Sequence, residues 1–324
     1  MRALVTGANG FLGTWLTRRL VARGDEVRVL LRSSADEWGL SSLAVQRFQG
    51  DVTDPMSLAP AAKGVEVVFH LAGIRRAPSK ELFEQVNAQG TRHVCEAAAA
   101  GGVRRVLLCG SLAASGPSAP GRPKLESDPF APFEAYGESK AASEQIAFSY
   151  RDRLEVVSAR PSRIVGPGDR ENLTFFKLVK RGFKLVVGGQ ERPLSMVDVE
   201  DVVDALLLMA DRPEAAGEAF FVSSAETTTL EKLQDEVARQ LEVKPRRMKV
   251  PGPILYGLFS AADAVSRLTG KHLPVNRKLA RQLLAPAWTC SIEKAERMLG
   301  YAPKVTLAES IRRSLVWYRE NGWL

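Results

Sequence analysis

The first half of the chain alternates between two hydrophobic periodicities. "RALVTG" (2–7), "EVRVLLR" (26–32), "VEVVFHLAG" (65–73), "RRVLLCGS" (104–111) and "LEVVSARPS" (154–162) are short apolar runs bounded by turn or charged residues. Such runs read as buried strands. Between them, "FLGTWLTRRLVARG" (11–24) puts Leu12, Trp15, Leu16 and Leu20 on one helical face, and 81–102 and 135–153 share that period. Strands alternating with helices predict an α/β fold with a doubly wound parallel sheet and right-handed crossovers. Ligands of such sheets bind outside the C-terminal strand ends.

The first strand-to-helix junction carries "TGANGFLG", which places Gly7, Gly10 and Gly13 at GxxGxxG spacing. Gly7 is expected to make the tight turn. Gly10 would let backbone approach a pyrophosphate, and Gly13 would let the helix pack on the strand. Asn9, Phe11 and Leu12 lie within the same candidate cofactor turn. The alternative is a set of glycines that only serve a turn. The pattern as a whole reads as a Rossmann-type core.

The second strand ends "VRVLLRSS". Leu31 stands where an acid would bind an adenosine ribose diol, and Arg32 and Ser33 follow. That favours NADP(H), with NAD(H) still possible, because an arginine there accepts a 2′-phosphate. The plainer reading is an exposed strand-end arginine.

Past about residue 165 the alternation fades. Segments 172–183, 199–210 and 230–242 read as helices, and 250–270 as an unusually apolar one. The expected division is a dinucleotide-binding core at 1–165 and a smaller, mostly helical substrate lobe at 166–324, with some segments returning to the core. The Pro-, Gly- and Ser-rich stretch 115–132 reads as a loop in which Lys124, Glu126 and Asp128 are solvated.

Composition narrows the function classes. The 324 residues are 45% hydrophobic and 25% charged, ordinary for a globular protein. No apolar run reaches the ~20 residues of a membrane span. The chain starts directly in a strand with no signal-like segment, so a cytoplasmic protein is expected. Cys95, Cys109 and Cys290 show no CxxC spacing, and His70, His93 and His272 do not cluster. Reduced thiols and no metal site are expected. The net charge of +8 reads as a basic surface, an anionic ligand or an anionic membrane. The basic residues are spread along the chain without a nucleic-acid motif.

"AYGESK" (135–140) sets Tyr136 and Lys140 four apart on a helix, so the side chains are neighbours. A phenol is a poor acid or base at neutral pH, with a pKa near about 10. A nearby ammonium favours the phenolate. The pair alone also fits a solvated surface.

"TGANGFLG", "GDVTD" (50–54), "HLAG" (70–73), "VNAQGTRHVCEAA" (86–98), "GSLAASG" (110–116), "YGESK" and "RPSRIVGPGD" (160–169) occur in this order. Together they resemble the extended short-chain dehydrogenase/reductase, or NAD-dependent epimerase/dehydratase, family over essentially the whole chain. The resemblance implies an NAD(P)-dependent enzyme with catalytic Ser111, Tyr136 and Lys140, supported by Asn87. Tyr136 would move the proton at the substrate oxygen and Ser111 would hydrogen-bond it. Lys140 would activate the phenol and hold the nicotinamide ribose. Asp51 and Val52 would contact adenine. Leu71, Ala72 and Gly73 would line the cofactor, and Pro161, Arg163 and Ile164 would lie beside the nicotinamide. Gly110 departs from the family, which often has a serine there. His70 is expected to pack at a strand end and not to ionise.

The family divides between nucleotide-sugar enzymes and reductases of apolar carbonyl compounds. Arg163 stands where the sugar branch often has asparagine, and Arg192 is displaced from that branch's phosphate-clasping arginine. The ending "LGYAPKVTLAESIRRSLVWYRENGWL" looks more like the 3β-hydroxysteroid dehydrogenase and dihydroflavonol reductase branches. Phe175, Phe176, Leu185 and Met196 are either pocket walls for a hydrophobic ketone or alcohol or plain core. A nucleotide-sugar 4-epimerase or dehydratase and a non-catalytic NADP(H) sensor remain alternatives. Many relatives dimerise through helices matching 81–100 and 135–153, so a homodimer is expected. The 250–270 segment would either pack over the pocket or dock on a membrane, with Arg246, Arg247, Lys249 and Lys271 facing headgroups.

Overall fold

A computed structural model describes residues 1–324 except 35, 38, 189, 190 and 270–276, together with the side chains at 267 and 278. Lys271 and His272 therefore lie outside the described residues. The core runs β1 (Arg2–Thr6), α1 (Phe11–Ala22), β2 (Glu26–Leu31), β3 (Gln46–Gln49), α2 (Pro55–Ala62), β4 (Val67–His70), α3 (Lys80–Phe83), a π-helical turn Glu84–Gln89, α4 (Gly90–Ala100), β5 (Arg105–Cys109), α5 (Leu112–Ser115), α6 (Ala135–Phe148) and β6 (Glu155–Pro161). There follow β7 (Arg163–Val165), α7 (Leu173–Lys180), β8 (Phe183–Val187), β9 (Pro193–Asp198), α8 (Val199–Asp211), β10 (Ala219–Val222), β11 (Thr227–Thr229), α9 (Leu230–Leu241), β12 (Arg246–Val250), α10 (Gly252–Thr269), α11 (Arg277–Leu284), α12 (Glu293–Leu299) and α13 (Leu307–Glu320).

Among the described residues, a seven-stranded sheet has the order β10–β6–β5–β4–β1–β2–β3 with every pair parallel. Strand order reverses between β1 and β4, the point at which a doubly wound sheet opens a ligand crevice. Alternate residues of each strand feed opposite layers. Ala3 and Val5 pack with Leu16, Leu20 and Leu206, while Leu4 packs with Leu58, Val94 and Ala98.

The C-terminal half adds helices around two small sheets, β11–β9–β7 and β12–β8. Their three- to six-residue strands are too short for a clear periodicity, and the pattern reading missed them. Strand β10 returns to the main sheet beside β6.

The single helix expected over 81–102 is interrupted by the π turn. The loop carboxylates are tied to the chain, Glu126 to a distant strand and Asp128 while still facing solvent. Glu126 Oε1 accepts from Phe221 N at 2.8 Å, and Asp128 accepts from Leu125 N at 3.1 Å and Arg122 Nη2 at 2.9 Å. Backbone amides left open by irregular chain recruit these acids.

His70 ends β4 inside the protein. Its Nδ1 lies 2.8 Å from Thr6 Oγ1 and its Nε2 3.1 Å from Thr91 Oγ1. Thr91 donates to the Asn87 carbonyl, and Thr6 accepts from Ala72 N. These directions assign the proton to Nε2 of a neutral ring. Burial, with the Lys140 charge adding, pushes the imidazole pKa from 6.5 down to about 3. A ring neutral when folded but protonated when unfolded costs stability as pH falls below 6.5, by about 2 kcal/mol at pH 5. Urea denaturation at pH 7.5 and pH 5 is expected to show that loss, and His70→Asn is expected to remove it. An unchanged pH slope in the variant would count against a neutral buried ring.

Candidate active site

At the β1–α1 junction the chain ends of β1 and β4 nearly touch. Gly7 has φ 71°, and a Cβ there would come 2.7 Å from Ala72 N. A Cβ on Gly13 would come 2.0 Å from the Gly7 carbonyl oxygen, so only glycine lets α1 sit this close to β1. Gly10 differs, because its Cβ would meet only Gly7 O, at 3.1 Å. The space in front of it belongs to a cleft of about 810 Å³ lined by Gly7, Asn9, Gly10, Phe11, Leu12 and Gly13. Helix α1 has no side-chain cap, so its first amides are open to an anion. This cradle fits the pyrophosphate of a dinucleotide.

The cleft continues along Leu71, Gly73, Ser111, Tyr136, Lys140, Pro161, Arg163 and Ile164. Of the other residues read as cofactor contacts, Arg32 and Ser33 are exposed just past β2, Asp51 holds Thr53 N at 2.8 Å, and Val52 is buried. These four and Ala72 are not among its lining residues. Arg18 and Asp36, which the pattern did not single out, are.

Asn87 lies behind the cleft in the π turn and is 1% exposed. Its Oδ1 accepts from Ile74 N at 2.8 Å, and its Nδ2 donates to Ile74 O at 3.0 Å and Ser139 Oγ at 2.9 Å. The amide thus ties the turn after β4 to the helix that carries Tyr136 and Lys140. Lys140 Nζ donates to the Cys109 carbonyl at 2.6 Å, which directs the ammonium to the end of β5. Ser111 caps α5, its Oγ accepting from Ala113 N at 3.1 Å, which leaves the hydroxyl proton for another acceptor. A Cβ on Gly110 would meet Ser158 Oγ at 2.9 Å and Glu144 Oε2 at 3.2 Å. Glu144 is engaged in a buried pair with Arg160 at 2.5 Å. A side chain at 110, where the resembled family often has serine, would crowd Ser158, Ala159 O and Glu144.

A second cavity, of about 190 Å³, meets the cleft. Leu112, Leu185, Val187, Leu194, Leu283 and Trp288 form much of its apolar wall. Arg75, Ser111, Tyr136, Pro161, Ser162 and Arg163 line both cavities and mark the junction. Phe176 and Met196, weighed as pocket walls, are core instead: they are 0% and 3% exposed and pack with Leu233, Val237 and Tyr318. Phe175 stacks under Arg163 at 5.4 Å. Arg192 reaches the cavity with Nη1 donating to Val187 O at 2.7 Å. The pattern reading missed Arg75, whose guanidinium lies 5.8 Å from the Tyr136 ring centroid. Its one sequence signal is its place two residues after "HLAG".

Comparison with known proteins places the chain in a family. A family model described as NAD dependent epimerase/dehydratase family matches residues 3–223. A ceramide reductase of Caulobacter vibrioides is 33% identical over 320 residues, 99% of this chain and 95% of the relative. The sterol demethylase protein B of Methylococcus capsulatus is 33% identical over 336 residues, covering 100% of both. The structure of DesIV, a dTDP-glucose 4,6-dehydratase from Streptomyces venezuelae with NAD and TYD bound, superposes with a TM-score of 0.80 at 25% identity, covering 100% of this chain and 98% of that one.

The glycines give a test that separates binding from folding. Gly10→Ala is expected to keep a cooperative thermal transition and to lose about tenfold or more in NADPH affinity, read by fluorescence titration. Gly13→Ala is expected to lose the folded state, because its Cβ overlaps backbone. Undiminished NADPH binding by Gly10→Ala would show that the cradle is not the cofactor site.

Proposed function

The chain belongs to the NAD dependent epimerase/dehydratase family and is an NAD(P)-dependent oxidoreductase; from that premise we propose that it interconverts a ketone and a secondary alcohol on a hydrophobic, lipid- or steroid-like substrate. The observation that carries this reading is the apolar cavity opening onto the cleft across Ser111 and Tyr136. The names of the ceramide and sterol relatives support it. The bound nicotinamide supplies or accepts the hydride.

The chain's own residues handle the oxygen. Ser111 donates its free hydroxyl proton to the substrate oxygen. Tyr136 gives that oxygen a proton during reduction and takes it back during oxidation. Lys140 reaches the nicotinamide ribose, and Arg75 lies over the Tyr136 ring. Asn87 positions the turn and helix that present them. NADP(H) is the preferred cofactor, on the strength of exposed Arg32 just past β2.

A screen of lipid ketones with NADPH, followed through the reduced-nicotinamide absorbance, tests the reading. Tyr136→Phe is expected to lower kcat by about 10²–10⁴-fold, and Arg32→Ala to narrow the preference for NADPH over NADH. A sugar-nucleotide epimerase would convert UDP-sugars with no net absorbance change. Full activity in Tyr136→Phe would remove the proposed chemistry.

A lipid-like substrate also needs a route. Helix α10 exposes Ile254, Leu258, Val265 and Leu268, the last at 87%. Exposed Arg246, Arg247 and Lys249 precede it on β12. It packs on α11, whose Leu279 and Leu283 line the apolar cavity. Among the described residues no helix is long and apolar enough to cross a membrane. We assign this stripe to the surface of an anionic bilayer. Flotation with anionic liposomes at low salt is expected to carry the protein upward, less so for Leu258→Glu. No association at low salt would discard the assignment.

A further inference from the structure

Helices α10 and α11 stand apart from the rest of the packing. Among the described residues they pack chiefly on each other, and Gly252 at the start of α10 lies against Leu284 at the end of α11. Their buried residues Leu255 and Ala280 belong to none of the core clusters. A unit with few ties to the core opens at lower cost than the strands it covers.

The pair is fixed to the body at its two ends. Ahead of it, Val250 O accepts from Gly188 N at 2.9 Å. After it, Trp288 N donates to Pro193 O at 2.9 Å and Trp288 O accepts from Ser195 N at 2.8 Å. Pro251 and Pro286 stand just inside these anchors, where a residue without an N–H cannot extend a ladder. Between the anchors, Gln282 ties α11 to the body. Its Nε2 donates to Glu134 Oε1, two residues before Tyr136, and its carbonyl accepts from Trp288 Nε1 at 3.0 Å. The Trp288 ring in turn lies 5.5 Å from that of Phe133.

Both sides of the hairpin are apolar. On the inside Leu279 and Leu283 line the apolar cavity together with Gln282, and on the outside Ile254, Leu258 and Leu268 are exposed. We propose that α10–α11 is a lid on that cavity, latched by Gln282 to Glu134 and released when α10 enters an anionic bilayer. The proposal rests on the bilayer assignment of α10 and adds the regulation of the site. The cavity is closed in water and opens where an apolar substrate is dissolved. Glu134 begins the helix that carries Tyr136, so the latch sits on the site it guards.

Hydrogen–deuterium exchange read by mass spectrometry tests this. Wild type, Gln282→Ala and Glu134→Gln are compared with NADPH present, alone and with phosphatidylglycerol vesicles. The first turn of α6 has no side-chain cap, so exchange at 133–137 reports loss of the cover that Gln282 fixes there. Vesicles are expected to speed exchange in 277–284 and 133–137 together by about tenfold, the strength of one hydrogen bond to a charged group, and to slow it in 252–269. Gln282→Ala is expected to give the joint acceleration without vesicles. Glu134→Gln keeps an acceptor oxygen and holds the wild-type rates. Acceleration in 277–284 alone is fraying of α11 and overturns the lid. Vesicle binding that leaves both segments unchanged overturns it too. Should a variant also exchange faster in β4 and β5, it has lost its fold, and the wild type with vesicles decides. If the protein does not bind vesicles, the bilayer assignment fails by itself and release by a bilayer with it. The latch is then judged on Gln282→Ala: joint acceleration upholds it, and unchanged rates remove it.

Discussion

The side-chain amide of Asn87 holds the candidate centre together. It closes a two-way bridge with the backbone of Ile74 and reaches Ser139, one residue from Lys140. The backbone carbonyl of Asn87 accepts the hydroxyls of Thr91 and Ser143 as well. That carbonyl also accepts from Gly90 N, and the π turn at Glu84–Gln89 widens the helix where these partners converge. The turn after β4, the middle helix and α6 are thereby held in one frame. Lys140 and Tyr136 inherit their placement from that frame, because α6 alone has no side-chain cap.

The same economy shapes the cofactor end. Parallel strands bring the ends of β1 and β4 together at the point where strand order reverses. That approach leaves no volume for a Cβ at Gly7 or Gly13. Empty space appears instead at Gly10, one turn later. Strand proximity and ligand space are thus two consequences of one crossing in the topology, and neither needs a flexible loop.

Much of this was legible in the sequence because it is carried by local pattern. Short apolar runs marked β1, β2, β4, β5 and β6, and period-3.6 segments marked the larger core helices, while β3, β10 and α2 went unread; the glycine spacing pointed to the junction. Ser111, Tyr136 and Lys140 could be read from order and spacing, since each sits at the end of a strand or the start of a helix. What escaped depends on distant partners. Phe176 looks like a pocket wall in one dimension, yet α9 and α13 cover it. Glu126 looks solvated until the amide of Phe221 comes to it from 95 residues away. Arg75 shows its meaning only when the turn after β4 folds over α6 and brings its charge to Tyr136.

Charge placement around Tyr136 then follows a consistent logic. Lys140 and Arg163 line the cleft with it, and Arg75 lies over its ring. Two titratable neighbours, His70 and Cys109, are held neutral. His70 is kept uncharged by burial, aided by Lys140, so it adds no competing cation. Burial pushes the Cys109 thiol up, against the pull of Lys140 and Arg75, so no thiolate competes as the local anion. The cations beside Tyr136 thus stand next to a neutral imidazole and a neutral thiol, while Glu171, Asp169 and Glu134 supply the opposing charge at Arg75, so the balance is struck within the fold itself.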